Sequence, residues 1–414
     1  MSITIFKNIS LTDADTANQT SSVGEPSIAN NGEQILMSGN WYASRSLDNG
    51  DSWDYISPYN FFPPAGGGFC CDQTILYDNS RDLTFWILQY VQRKGTNVMR
   101  LAVKKGKNLG NNNWYWWDLE PKKVNKKWRR EWFDFNHAAL SNNFLYIGTN
   151  VFKRTFTRSV VFRIPLDLLA KESGELKYDY IQSESSFSLR CVQGARNVMH
   201  FASHISNSKI RLFSWPENSS VVIIQDFDVT PWQAGSYSAP GPDGSNWLSR
   251  VDPRITGGWY ANGKIGLMWS ANRESGNRPF PFVRVVIIDT NTREVISEPD
   301  IWSNNYAFTY PDACPNDRGE VGIAIFRGGG KLHPSHCVGI WDEITGIWEL
   351  AATKNGTNGP SDNKWGDYLA CRRHSPDGLT WLASGFTLQG GRTRLSIEPC
   401  VIHFGKQSYA PAIV

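Results

Sequence analysis

The sequence predicts an all-β protein that forms a seven-bladed β-propeller of four-stranded blades, in a single domain over residues 1–414. The first observation is a pair of strand-like runs, joined at Asn, Asp or Gly, that recurs seven times. The second is that two more strand-like runs follow the pair in several copies. The third is that the last copy lacks a fourth strand, which residues 3–6 can supply. Pairing of the first and last strands would close the ring and remove an exposed sheet edge.

The seven copies begin 47 to 63 residues apart. The paired strands are predicted at residues 25–29 and 35–40, 72–77 and 83–90, 134–140 and 144–150, 189–193 and 197–204, 252–256 and 265–273, 311–315 and 321–327, and 367–372 and 379–387. The outer strands are predicted at 41–46 and 52–56, 160–165 and 177–181, 209–215 and 221–226, and 282–289 and 294–296, with a long last run at 395–404. Two β-sandwiches are the alternative, but sandwiches rarely show so many four-strand copies.

The composition argues against nucleic-acid and membrane partners. Lys and Arg number 42 and Asp and Glu number 39, so the net charge is only +3, which argues against a dedicated nucleic-acid binder. No apolar run approaches the length of a membrane span. We therefore expect a monomer that binds a glycan or another small molecule, with no nucleic-acid or membrane partner. The first residues lack the features of a secretory signal, which predicts a cytoplasmic protein, or a secreted one if a signal has been removed.

The run Ser46-Leu47-Asp48-Asn49-Gly50-Asp51-Ser52-Trp53 resembles the Asp-box of sialidase-like propellers, and a degenerate copy spans residues 342–348. Residues 162–165 match the letters of the sialidase Phe/Tyr-Arg-Ile-Pro segment, but they fall on an outer strand of the third blade, whereas the sialidase segment precedes the first Asp-box. The run at 66–73 resembles an uncharacterised group of bacterial propellers. The resemblance implies the propeller fold and carries no activity.

In such a ring, the starts of the inner strands and the ends of the second strands meet at one opening of the central channel, which we call the top. We expect a single site there. The candidate catalytic residues are His204, Arg273, Asp252, Glu25 and Asp72. The candidate substrate-binding residues are Arg254, Tyr90, Gln89, Asn150, Asn272, His333, His336 and Trp41.

The inner-strand carboxylates have two interpretations. They could act as acid and base or hold an axial cation such as calcium, or they could cap strands by accepting backbone N–H groups. The cofactor is therefore unknown. The adjacent Cys70 and Cys71 form either a vicinal disulfide or two buried thiols. The basic run 122–130 is either a solvated loop or a surface that attracts an acidic polysaccharide.

These features favour a carbohydrate-active enzyme, either a glycoside hydrolase or a polysaccharide lyase. In a hydrolase, Glu25 and Asp72 would be acid and base or nucleophile. In a lyase, Arg273 or Arg254 would neutralise a uronate carboxylate, and His204 or Tyr90 would remove the α-proton. The alternatives are a non-catalytic ligand-binding propeller, such as a lectin or interaction platform, and a biosynthetic enzyme that acts on a small molecule in the propeller cavity.

Overall fold

The computed structural model describes residues 2–12, 20–274 and 276–410. Their strands form seven four-stranded antiparallel sheets, which are the blades of the predicted propeller. In the first six blades the strands follow chain order from the central channel outwards. None of the helices in the described residues is long and apolar enough to cross a membrane.

The first half of the ring begins with the N-terminal strand β1 (Ile3–Ser10). The first blade contains β2 (Ser27–Asn30), β3 (Ile35–Gly39), β4 (Tyr42–Ser46) and β5 (Asp54–Ile56). The second contains β6 (Phe69–Asp78), β7 (Leu83–Tyr90), β8 (Met99–Lys105) and β9 (Tyr115–Leu119). The third contains β10 (Trp132–Leu140), β11 (Phe144–Phe152), β12 (Phe156–Pro165) and β13 (Asp179–Ser183). Three single-turn helices connect these strands: α1 (Pro58–Phe61), α2 (Pro121–Val124) and α3 (Leu166–Leu169).

The second half repeats the arrangement. The fourth blade contains β14 (Arg190–Cys191), β15 (Val198–Ser206), β16 (Lys209–Pro216) and β17 (Ile223–Asp228). The fifth contains β18 (Ile255–Ala261), β19 (Lys264–Ala271), β20 (Phe282–Asp289) and β21 (Glu294–Ser297). The sixth contains β22 (Ala307–Pro315), β23 (Val321–Gly329), β24 (Leu332–Asp342) and β25 (Ile347–Lys354). The seventh contains β26 (Ala370–Arg373), β27 (Trp381–Leu388) and β28 (Ile397–Lys406), with 3-10 turns at Arg394–Ser396 and Gln407–Tyr409.

The N-terminal strand closes the ring. The order of the seventh sheet is β1-β28-β27-β26, so the outermost strand of the last blade comes from the start of the chain. Its register runs from Ile3 opposite Lys406 to Ser10 opposite Cys400. The predicted closure is confirmed, and it gives the seventh blade its fourth strand.

Large aromatic side chains fill the spaces between neighbouring blades. Trp381 of the seventh blade is fully buried, and its indole N–H donates to the carbonyl oxygen of Cys314 in the sixth blade at 2.8 Å. A Cβ on Gly322 would lie 2.6 Å from the indole ring. Glycine at position 322 therefore lets the two blades approach closely.

Side-chain hydrogen bonds hold the turn between β4 and β5. Oδ1 of Asp48 accepts from the hydroxyl of Ser46 at 2.8 Å and from the backbone N–H of Ser52 at 2.9 Å. Gly50 takes a φ of 89°, and the indole N–H of Trp53 donates to its carbonyl oxygen at 3.1 Å. This network fixes the hairpin within one blade.

The segment 162–165 lies on β12, the third strand of its blade, away from the channel. Arg163 is 6% exposed, stacks over the ring of Trp215 at 4.2 Å and pairs with Asp179 at 2.7 Å. Its guanidinium group therefore packs the third blade against the fourth.

Candidate active site at the top of the central channel

A cavity of about 560 Å³ opens at the top of the channel. Its wall carries acidic, basic and aromatic side chains side by side. The charged residues are Glu25, Asp72, Asp134, Asp362, Asp367, Arg250, Arg254, Lys364 and Arg394, and the aromatic ones are Trp41, Phe135, Phe152 and Phe187. Such a mixture suits a ligand with both polar groups and apolar faces.

Two carboxyl groups at the tops of the first and second blades titrate together. Burial, together with the negative charges of Asp134 and Asp367, raises the pKa of Asp72 to about 7, while its hydrogen bond with Glu25 and the charge of Arg254 act in the opposite direction. Burial, and then the charges of Asp72 and Asp367, raise the pKa of Glu25 well above its ordinary value. At neutral pH the pair therefore holds at least one proton, which is the state that acid–base chemistry requires.

Two arginines balance the carboxylates. Arg250 makes a forked pair with Asp367, with distances of 3.3 Å from Nε to Oδ1 and 3.1 Å from Nη2 to Oδ2. Nε of Arg254 lies 2.7 and 2.6 Å from the two carboxylate oxygens of Asp252. Both guanidinium groups are thus oriented by a carboxylate before any ligand arrives.

Aromatic rings hold Arg254 from two sides. Its guanidinium carbon lies 4.0 Å from the ring centroid of Phe135 and 5.5 Å from that of Phe187. Phe135 also contacts the ring of Tyr368 edge-to-face at 5.8 Å. Stacking on aromatic faces restricts the arginine to one position, so its remaining N–H groups face the cavity in a fixed direction.

Three residues that line the cavity have left-handed backbone conformations. The φ angles are 42° at Glu25, 79° at Trp41 and 57° at Phe135. Such conformations are unfavourable for residues with a Cβ, by about 1–3 kcal/mol each, and they concentrate at functional sites. Ten other non-glycine residues of the described chain, among them Asn262, share this conformation away from the cavity wall, so the strain is not specific to the site.

Cys70 and Cys71 are joined in a vicinal disulfide, so the first of the two alternatives for this pair is confirmed. Cys71 lines the cavity next to Asp72. The pairing of β6 with β7 is irregular between Phe69 and Gln73, so the disulfide and Asp72 lie in a bulge. A bulge redirects side chains, and here it presents the Asp72 carboxylate to the cavity.

The structure brings five of the predicted site residues to the cavity wall: Glu25, Asp72, Arg254, Asn150 and Trp41. Asp252 is attached to this group through Arg254. The side chain of Asn150 is already used within the protein. Its amide donates to the hydroxyl of Ser188 at 2.8 Å, and its carbonyl oxygen accepts from the hydroxyl of Ser159 at 2.8 Å.

Two predicted catalytic residues lie elsewhere, which corrects the expectation that they share the top pocket. The ring of His204 lies between those of Trp232 and Trp269, with centroid distances of 5.0 and 4.7 Å, and burial lowers its pKa to about 4. Arg273 is exposed on the loop after β19, because that strand ends at Ala271 and not at residue 273. Neither residue lines the cavity.

Five predicted substrate-binding residues also lie outside the cavity wall. The Tyr90 hydroxyl accepts from Arg100 at 2.8 Å inside the second blade. Gln89 donates to Asp134 at 2.8 Å and so supports the wall from behind. The amide of Asn272 donates to the carbonyl oxygen of Ser236 at 3.3 Å.

His333 and His336, which the sequence predicts as substrate-binding residues, also lie outside the cavity wall. Strand β24 already begins at Leu332, so His333 and His336 are strand residues. His336 is fully buried and its Nδ1 lies 2.6 Å from the hydroxyl of Thr353. His333 lies 4.0 Å from Asp243, away from the cavity.

Two tyrosines beside the carboxylates were not among the predicted site residues. Tyr310 and Tyr368 are 3% and 8% exposed, and their hydroxyl groups have no hydrogen-bond partner among the described residues. Burial and the nearby carboxylates raise the pKa of both well above the ordinary value, so both remain protonated. In the sequence, the only indication that they lie near the site is their position next to Pro311 and Asp367, where two inner strands are predicted to begin.

The central carboxylates do not gather into a metal-ligand group. Within the described ranges, one group of three residues has ligand atoms within 4.8 Å of one another, namely His374, Asp377 and His403. Its two imidazole rings are stacked at 4.1 Å, with an angle of 14° between their planes. The carboxylates of the cavity wall therefore give no support to the expected cation on the channel axis.

No protein-family model and no curated protein matches the chain. The chain is similar in fold to an α-L-arabinofuranosidase from Fusarium graminearum, with 8% identity and a TM-score of 0.45, over 96% of this chain and 97% of that one. It is also similar to the Dos1 propeller, with 11% identity and a TM-score of 0.46, over 97% and 95%. The NanB sialidase from Streptococcus pneumoniae shows 10% identity and a TM-score of 0.42, over 74% and 66%. The likeness concerns the propeller fold alone.

Proposed function

We propose that the protein is a glycoside hydrolase whose single active site is the top cavity. The observation that carries the proposal is the pair of Glu25 and Asp72, two interacting carboxyl groups with raised pKa values in the wall of a cavity. Glycoside hydrolysis uses one carboxylic acid and one carboxylate about 5–9.5 Å apart at the scissile bond, so the proposal requires the hydrogen bond between Glu25 and Asp72 to open when a sugar enters the cavity. Environments that push carboxyl pKa values upward are typical of such sites.

The two residues take different roles. Glu25, with its pKa well above the ordinary value, is the general acid that protonates the glycosidic oxygen as the C–O bond breaks. Asp72, ionised above about pH 7, takes the proton of the water that attacks the anomeric carbon. Asp72 is restored when it passes this proton back to Glu25 or to solvent.

The other wall residues suit a sugar. The rings of Trp41 and Phe187, of which Phe187 is 40% exposed, offer apolar surfaces to the C–H face of a pyranose or furanose ring. Arg250 and Arg254, each held by a carboxylate, offer N–H groups to hydroxyl or carboxylate oxygens of the ligand.

The lyase alternative has less support from the geometry. The two residues considered for removing the α-proton are His204 and Tyr90, and neither lines the cavity. His204 is enclosed by two tryptophans, and the hydroxyl of Tyr90 accepts a hydrogen bond from the buried Arg100. A non-catalytic ligand-binding propeller would keep the cavity without turnover.

The test is a screen of neutral and acidic polysaccharides for the release of reducing ends. We expect one class to be cleaved by the wild-type protein, and we expect Glu25→Gln and Asp72→Asn each to lower kcat by about 100-fold with KM little changed. Asp226→Asn, which changes an exposed carboxylate on β17, is the matched control and should keep full activity. Products with a new unsaturated sugar end would indicate a lyase. Binding of one glycan per chain without cleavage, or full activity of both variants, would reject the hydrolase.

A further inference from the structure

Another large concave surface, separate from the top cavity, lies between the second and third blades. It is formed by the loop at residues 91–98, which joins β7 to β8, and by the segment 120–130 before β10. We call it the basic groove, and its volume is about 900 Å³. Seven cationic side chains line it: Arg93, Lys94, Lys122, Lys123, Lys126, Arg129 and Arg130.

The backbone of the basic groove is anchored to the two blades. The side-chain amide of Asn97 donates to the carbonyl oxygen of Phe133 at 2.8 Å, and its carbonyl oxygen accepts from the N–H of Phe133 at 2.8 Å. Trp128 is 3% exposed, and Arg158 stacks over its ring at 4.8 Å. The charged side chains therefore project from a fixed frame.

The positive charge of the groove is largely uncompensated. Glu120 is the one carboxylate in its wall, and it pairs with Lys122 at 3.6 Å and with Lys123 at 2.6 Å. The other five cations have no carboxylate within salt-bridge distance among residues 2–12, 20–274 and 276–410. The seven cations and one carboxylate of the groove wall give it a net charge of +6, whereas the whole chain has +3, so the rest of the chain has a net charge of −3. Like charges at this density repel, and a multivalent anion would relieve that repulsion.

Two short segments of the chain join the basic groove to the top cavity, so the two surfaces lie close together. Arg130 in the groove precedes Asp134 in the cavity wall by four residues, which span at most about 14 Å when extended. Gly66 in the groove precedes Cys71 in the cavity wall by five residues, at most about 18 Å. A short run of sugar units can therefore bridge the two surfaces.

We propose that the basic groove binds the acidic portion of a uronate- or sulfate-bearing polysaccharide whose chain continues into the top cavity. This inference rests on the proposed function, and it names the substrate class of that site. Arginine forks pair with planar carboxylates and with sulfates through two hydrogen bonds, and lysines add charge. Single-stranded nucleic acids usually need aromatic platforms for their bases, and no aromatic side chain of the described residues lines the groove.

The experiment measures the binding of the full chain to polygalacturonate and dextran sulfate, with dextran as the neutral control, by affinity electrophoresis and calorimetry. The first variant is Lys126→Glu/Arg129→Glu/Arg130→Glu, and the second is Arg93→Ser/Lys94→Ser from the facing loop. The matched control is Lys105→Glu/Lys107→Glu/Lys171→Glu, which makes the same charge change on exposed residues at the other end of the same two blades. Melting temperatures of all variants establish that they are folded.

We expect wild-type protein and the control to bind at least one acidic polymer but not dextran, with affinity that falls as salt rises. Both groove variants should lose at least tenfold in affinity. Asp72→Asn should keep binding and lose cleavage.

Equal binding by all variants, no binding to either acidic polymer, or tighter binding to a deoxythymidine oligomer would overturn the groove inference. If the protein cleaves neutral glycans only, the hydrolase proposal is supported and the groove inference is rejected. If it binds an acidic polymer but cleaves no glycan, the hydrolase proposal is rejected and the groove inference is supported.

Discussion

Asp312 on the inner strand of the sixth blade pairs with Arg190 on the inner strand of the fourth, with 2.6 Å between Oδ1 and Nη2. Its second oxygen accepts from Arg372 of the seventh blade, also at 2.6 Å. The three residues are 1%, 5% and 9% exposed, so the ion triad lies inside the channel below the top cavity. Because it joins three blades that are far apart in sequence, it acts as a cross-brace of the ring.

Removal of Asp312 should therefore be costly. In Asp312→Ala, two buried guanidinium groups lose their counter-charge, and we expect the free energy of unfolding to fall by about 3–5 kcal/mol. Asp226→Ala is the matched control, because Asp226 makes a forked pair with the exposed Arg211 at 2.7 and 2.8 Å. That change should cost about 1 kcal/mol or less. Urea unfolding measures both, and equal small losses would show that the triad is no brace.

The sequence predicts the blades well because their signals are local. Each strand pair is marked by its own alternation and by its own turn, such as Asn262-Gly263, where φ is 50° and 74°. The carboxylates at the inner-strand starts follow from the same repeat, and Glu25 and Asp72 were found in this way. These features depend on a few neighbouring residues only.

The misplaced residues depend on longer-range contacts or on small shifts of strand ends. Strand β19 ends two residues earlier than predicted, which puts Arg273 on an exposed loop. Trp232 covers His204 from a segment 28 residues further along the chain, and no local pattern indicates this contact. The pairing of Arg190 with Asp312 spans 122 residues and is equally invisible in the sequence.

Substitution of His204 should lower the stability of the protein, whereas substitution of Arg273 should leave it almost unchanged. His204→Ala leaves a hole between two tryptophan rings, and we expect a loss of about 2–4 kcal/mol of unfolding free energy. Arg273→Ala changes an exposed loop residue and should stay within about 0.5 kcal/mol of wild type. Thermal unfolding of the two variants checks this. A stable His204→Ala variant that has lost activity would return His204 to the site.

The number of reactive thiols tests the vicinal disulfide. The five free thiols, of Cys191, Cys314, Cys337, Cys371 and Cys400, are buried, and burial raises the pKa of each. The native protein should therefore show no fast-reacting thiol with an aromatic disulfide reagent. After mild reduction under native conditions, two thiols should react, those of Cys70 and Cys71, which are half-buried. Two fast-reacting thiols before reduction would contradict the vicinal disulfide.

Ring closure should contribute strongly to stability. Ile3 and Ile5 of β1 pack on the core of the seventh blade, and the ring of Phe6 contacts that of His403 at 5.1 Å. Deletion of residues 1–10 should cost several kcal/mol and expose a sheet edge. As a point-substitution pair, Ile5→Asp should lower the melting temperature, while Thr4→Ser, which keeps the exposed hydroxyl that donates to Gln407 at 2.9 Å, should not. A truncated protein that melts at the wild-type temperature would contradict this role of β1.

Asp72 should make the protein less stable as the pH rises. Its carboxyl group ionises near 3.8 in the unfolded chain, whereas burial raises its pKa to about 7 in the folded protein. Between these two values the folded state holds a proton that the unfolded state has lost, so the free energy of unfolding falls as the pH increases through this window. Above about pH 7 the buried carboxylate carries its full cost.

Asp72→Asn removes this penalty, because an amide resembles the protonated carboxyl group in shape and does not ionise. We expect the stability advantage of the variant over wild type to be about 3 kcal/mol larger at about pH 8.5 than at about pH 5, given about 1.4 kcal/mol for each pKa unit. Asp226→Asn has the opposite sign, because its hydrogen bond with Arg211 lowers the pKa of Asp226. That stabilising contribution is present above the unfolded pKa and is lost as the pH falls. Urea unfolding at the two pH values decides the matter: if Asp72→Asn is less stable than wild type at the higher pH, Asp72 is a structural carboxylate rather than a strained member of the site.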